Sequence, residues 1–211
     1  VGVKEWIELL GTAIAGVAFA VGLWQYGRAQ AWARSEFAWK MVDRLFQDSD
    51  LALCRQLMDW SPRRITIPVQ YQALMKPEEH RAVFVHSWEK LWQALTKTSQ
   101  FTLEEMMYRD LFDTFFAYLC EIERSISTGL VKPNDLSGVT YWIEKVAIIK
   151  VNADGPLVFY DFVRKYYWMV EQLMVRYGIY WPKSTRGVVQ SADATAAAVP
   201  SVVGAIDHGI V

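Results

Sequence analysis

The chain has 211 residues, with 22 basic and 23 acidic side chains for a formal charge of -1, so it lacks the cationic excess that neutralises a phosphate backbone. That excludes nucleic acid as a favoured partner, and the length suits one domain with an appendage rather than a multi-domain enzyme. With 53% hydrophobic residues, only 21% charged ones and 10 Trp, the chain carries more apolar surface than a soluble domain of this size hides, and a membrane or a large interface is expected to absorb the surplus.

The first element is the uncharged run of 19 residues from Leu9 to Gly27, which as a helix is roughly 28 Å long and matches a bilayer core. Trp6 at one end, and Trp24 and Tyr26 at the other, place amphipathic rings where headgroups lie, with Arg28 just beyond. A buried core helix of a small domain would show a polar stripe, which this segment lacks. A cleaved leader would fit Ala18-Phe19-Ala20, but that sequence lies inside the apolar run, and Glu5 and Glu8 spoil a basic start. Arg28, Arg34 and Lys40 follow the run against Lys4 before it, which predicts that the bulk of the chain is cytoplasmic. Gly11 and Ala15, Gly16 and Ala20, and Ala18 and Gly22 recur at four-residue spacing, which lets another helix approach closely, although small residues are common in any span. No His, Cys or carboxylate lies within the run, so it predicts an anchor and packing element.

Helical periodicity continues from Arg28 to Gln47 through Trp32, Phe37, Met41 and Leu45. Asp48 and Ser49 can cap a short helix reaching Trp60, after which Ser61-Pro62-Arg63-Arg64 breaks it and Pro68 closes an extended Ile65-Thr66-Ile67 piece. Pro77 with Glu78 and Glu79 predicts a first turn, and a helix running to about Thr96. Thr102 with Glu105 forms a capping box for a helix that carries to Ile126 and ends at Gly129. Asn134 is expected to cap a helix across Trp142, Ile143 and Val146, and Asp154-Gly155-Pro156 to open a last one ending before Gly178. No set of alternating strands is visible. The predicted fold class is all-α: an anchor over residues 1–27, running into a cytoplasmic antiparallel helical bundle over 28–182. Residues 183–211 form an Ala/Val-rich tail without an aromatic residue beyond Val188, expected to be flexible unless a partner orders it.

A search for chemistry yields no catalytic, cofactor-binding or metal site. His80 and His86 are six apart and on a helix would face different ways, and His208 lies in the tail. Glu78, Glu79, Glu104 and Glu105 have capping explanations, and Glu121 and Arg124 have the spacing of an intrahelical pair. No Glu-x-x-His spacing, Gly-rich phosphate loop or nucleophile elbow occurs. Cys54 and Cys120 are distant from one another and fall among apolar neighbours, as reduced core thiols do. Arg63 and Arg64 beside Pro62 suit acidic headgroups or an acidic partner, or a solvated loop. Between Val158 and Met174 there are more aromatic residues than one inward stripe uses: Phe159, Phe162, Tyr166, Met169, Val170 and Leu173 make an inward set. Tyr160, Tyr167 and Trp168 are left for a partner surface.

The run from Trp24-Gln25-Tyr26 through Ala31-Trp32-Ala33-Arg34, the segment from Leu111-Phe112-Asp113 and Phe115-Phe116 through Glu121-Ile122-Glu123-Arg124, and the turn at Ser127-Thr128-Gly129 together resemble bacterial single-span membrane-anchored all-helical proteins of a domain-of-unknown-function type. The resemblance implies architecture and brings no catalytic residue with it. The function expected is that of a non-enzymatic accessory or scaffold subunit in a bacterial-type inner membrane, cytoplasmic or intracytoplasmic. It would pack against an integral membrane complex, or a second copy, through span, aromatic surface and tail. A membrane-tethered regulator that binds a soluble partner transiently is the alternative.

Overall fold

The computed structural model describes residues 2–73 and 83–182, so the tail and the Pro77 segment with His80 lie outside the described residues. The described chain is mostly helical, and its first element, α1 (Val3–Gln47), is a single helix of 45 residues, about 68 Å long. α1 stops where Asp48 turns extended and caps α2 (Ser49–Asp59), its carboxylate accepting from Asp50 N at 2.9 Å and Leu51 N at 3.1 Å.

After α2 the chain forms β1 (Arg63–Thr66), a single turn α3 (Val69–Gln72), and β2 (Val83–His86), which pairs antiparallel with β1 so that Arg63 faces His86 and Ile65 faces Phe84. This corrects the helix expected to run from Pro77 to Thr96. Val83 and Val85 are exposed while Phe84 and His86 are buried, a two-residue alternation of β-branched and aromatic side chains that the adjacent strand stabilises. The helix begins only at α4 (Trp88–Thr96), where Ser87 Oγ accepts from Lys90 N.

The core is organised around α5 (Leu103–Ser127). Thr102 and Glu105 complete the expected capping box, and Tyr108, Leu111, Phe112, Phe115, Phe116, Tyr118, Leu119 and Ile122 are all buried. So much of the helix circumference is covered because α2, α4 and α8 each pack against α5. Phe112 and Phe116 meet Phe159 at ring-centre distances of 4.9 and 5.5 Å. Gly129, with φ of +76°, ends α5 as the sequence predicts, letting Leu130 N return to Ser125 O.

A 3₁₀ turn (Pro133–Leu136) then precedes α6 (Ser137–Ile148), so the helix starts two residues later than a cap at Asn134 would place it. The expected last helix is two: residues from Asp154 form a turn closed by pairing of Lys150 with Leu157, and α7 (Tyr160–Tyr166) and α8 (Trp168–Arg176) are separated at Tyr167. Tyr167 leaves helical geometry because its ring turns onto Phe116 and its hydroxyl donates to Asp113 at 2.6 Å. Gly178, with φ of +70°, closes the helical part.

Only the last third of α1 joins this core. Ala38, Met41 and Leu45 are buried, and α1 packs there on α2, α6 and the 3₁₀ turn. Tyr118 donates to Met41 O at 2.9 Å, and Arg44 pairs with Glu121 at 2.7 Å. Higher up, Arg34 pairs with Asp135 at 3.5 Å. Gly138 allows a close approach, since a methyl group there would sit 3.2 Å from Val42 Cγ1.

Candidate functional site

α1 before Arg34 is the least ordinary surface of the molecule. Every described side chain from Val3 to Ala33 is exposed, including Ile7, Leu10, Ile14, Val17, Phe19 and Leu23. At about 1.5–3 kcal/mol for each large side chain left in water, these six alone forgo on the order of 10 kcal/mol, as much as the whole stability of a typical domain. One helix, running over Trp6–Gln47, is thus long and apolar enough to cross a membrane, and none of its apolar window is buried. Its one polar hydroxyl in the early part, on Thr12, is satisfied within the helix by Glu8 O at 2.9 Å.

At 100° per residue, Gly11, Ala15, Ala18 and Gly22 fall within a sector of about 60°, whereas Gly16 and Ala20 lie on the opposite side. The small residues read from the sequence as one group therefore form two faces, and a single neighbouring helix can use only one of them. Nothing lies within 4 Å of the position a side chain would occupy at Gly11, Gly16 or Gly22. Trp6, Trp24 and Tyr26 are about two-thirds exposed, and the Arg28 guanidinium lies 5.6 Å from the Trp24 ring centre.

The aromatic residues assigned to a partner surface separate. Trp168 is 60% exposed and stands between two grooves. One, between α5 and α8, is lined by Ser127, Glu171, Val175 and Arg176; the other by Ala117, Cys120, Arg124 and Tyr166. Tyr167 turns inward, as described above, while Tyr166, expected inside, is 49% exposed. Tyr160 is half-buried edge-on to Trp181 and accepts from Arg164 at 2.6 Å. Met169 is half-buried, and Phe159, Phe162, Val170 and Leu173 are buried. Arg63 stacks over Trp60 at 4.7 Å, and Arg64 is exposed opposite Val85 on β1.

Two polar arrangements were not read from the sequence. Glu123, only 1% exposed, receives Arg176 through both carboxylate oxygens, at 2.6 and 3.0 Å, and the Ser127 hydroxyl at 2.8 Å. The signal was present as an acidic residue on the apolar face of α5, but its partner is 53 residues away. His86 is fully buried with Nδ1 at 2.8 Å from the Tyr108 hydroxyl, and burial lowers its pKa to about 4 against the opposing effect of the Leu57 carbonyl. Its imidazole is neutral at pH 7. Burial also pushes both thiols up, and Cys54 Sγ donates to Leu111 O at 3.1 Å, so neither is activated as a nucleophile. No group of three or more His, Cys, Asp or Glu with metal-binding geometry occurs among the described residues.

No protein-family model matches this chain, and neither a curated protein nor a solved structure does.

Proposed function

We propose that the protein is a non-enzymatic, single-pass accessory or scaffold subunit, held in a bacterial-type inner membrane by the first part of α1 and packed against a larger integral membrane complex. One observation carries this reading: an apolar helix with none of its surface covered runs without interruption into a packed core. Such a helix needs an apolar solvent, and its continuation presents the folded body at a set distance from that solvent. The excess of Arg28, Arg34 and Lys40 over Lys4 favours a body on the cytoplasmic side, and the mostly helical body accords with that reading. Either the Gly11 face or the Gly16 face offers a packing surface within the bilayer, and Trp168 offers one outside it. The resemblance to single-span helical proteins accords with this reading.

The test is extraction of the chain from its own membranes at natural expression, first with alkaline carbonate and then with a mild detergent followed by native mass spectrometry. The expected result is resistance to carbonate and recovery in a stoichiometric assembly with another membrane protein. Release by carbonate would overturn the anchor, and recovery as a lone monomer would overturn the subunit role.

A further inference from the structure

We propose that the end of the folded body nearest the apolar segment, the turn carrying Leu130 and Lys132 together with Arg124 and Arg28, rests on the anionic headgroups of the same membrane. The inference depends on the reading of α1 as a membrane span. Gly138 lies against Val42 and Asp135 against Arg34, so the chain followed backwards from α6 climbs α1 toward its apolar end. The Gly129–Lys132 turn comes next, at that end of the body. The C-terminal end of α8 is beside it, with Arg176 reaching Ser127 and the Tyr177 hydroxyl donating to Pro133 O at 2.9 Å.

The distances agree with contact. Gly27 closes the uncharged run, and the seven residues from there to Arg34 add about 10 Å of helix. The headgroup layer occupies roughly 5–8 Å on each side of the hydrocarbon core. The Arg34–Asp135 pair therefore falls just outside the headgroups, and the adjoining turn is within side-chain reach of them. Its chemistry suits that place. Leu130 is 56% exposed at the tip of the turn. Glu123 neutralises Arg176 and Asp135 neutralises Arg34, whereas Arg28, Arg124 and Lys132 have no ion pair among the described residues. The turn thus carries the uncompensated Lys132 and an exposed leucine, with Arg124 in the last turn of α5 and Arg28 on α1 six residues before Arg34, a combination suited to a phosphate-rich interface.

The test uses the full chain with Cys120→Ser, labelled with a fluorophore through Leu130→Cys, or at the far end of the body through Ser99→Cys, and reconstituted into vesicles that contain a nitroxide on the lipid headgroup. Phosphatidylcholine vesicles are compared with equal mixtures of phosphatidylcholine and phosphatidylglycerol. The expected result is quenching at position 130 but not 99 in the anionic vesicles, lost on adding Arg124→Glu and Lys132→Glu, with helical circular dichroism unchanged. Equal quenching in both vesicle types, or none at position 130 in a chain that survives an alkaline wash, would overturn the headgroup contact and leave the anchor standing. Loss of the chain from the vesicles in that wash would overturn both.

Discussion

At the residue scale the two partners of the Glu123–Arg176 pair are not equivalent. Glu123 is 1% exposed, while the Arg176 side chain keeps 38% of its surface. Removing the arginine strands a carboxylate in the core with only Ser127 beside it; neutralising the glutamate leaves a guanidinium that can turn to water. Arg176→Met is therefore expected to cost about 3 kcal/mol and Glu123→Gln about 1 kcal/mol, read from urea midpoints in mild detergent. His86 makes a pH-dependent contribution of definite sign. Its folded pKa of about 4 lies below the ~6.5 of an unfolded histidine, so the unfolded chain binds the extra proton first. Stability is full above ~6.5 and falls as pH drops toward 4, by up to about 3 kcal/mol from this group. His86→Gln should flatten that part of the urea-midpoint profile; an unchanged slope would show that other groups set it. Neither arrangement was legible in the sequence, because each depends on which distant residue the fold brings opposite.

At the scale of elements, helix boundaries set by local hydrogen bonds were legible: Asp48 caps α2, Thr102 and Glu105 cap α5, and Gly129 ends it. Elements decided by packing were not. Val83-Phe84-Val85-His86 is too short for its alternation to stand out, and it becomes a strand only because Arg63–Thr66 lies beside it. Tyr167 interrupts its helix in favour of a contact with Asp113, 54 residues earlier. The joint between α1 and the core rests on Leu45, fully buried, and on the Tyr118 hydroxyl. Leu45→Ala is expected to lower stability by about 3 kcal/mol and Tyr118→Phe by about 1 kcal/mol. Both should also raise amide hydrogen exchange along Ala38–Leu45; exchange there that stays at the wild-type rate would argue that α1 is held by other contacts.

At the scale of the whole molecule, the apolar length of α1 was the clearest feature of the sequence, since nineteen uncharged residues in a row need no tertiary knowledge to be noticed. What the sequence left open was where α1 would first be covered, which depends on how far the 3₁₀ turn and α6 reach along it. A chain lacking residues 1–27 is expected to keep its helical circular dichroism and to become soluble without detergent, because the removed segment has no buried side chain among those described. Aggregation of the truncated chain would point instead to apolar surface on the body. The unbroken passage of α1 from apolar segment to core also makes it a lever. Gly27 and Leu45 are about 27 Å apart along one helix axis, so a change of about 10° in the tilt of the buried segment would swing the core end by roughly 5 Å. The same stiffness locks rotational phase. A single alanine inserted after Ala31 would turn the body by about 100° around the axis, re-aiming Trp168 with every other surface feature while leaving both halves of the molecule internally intact.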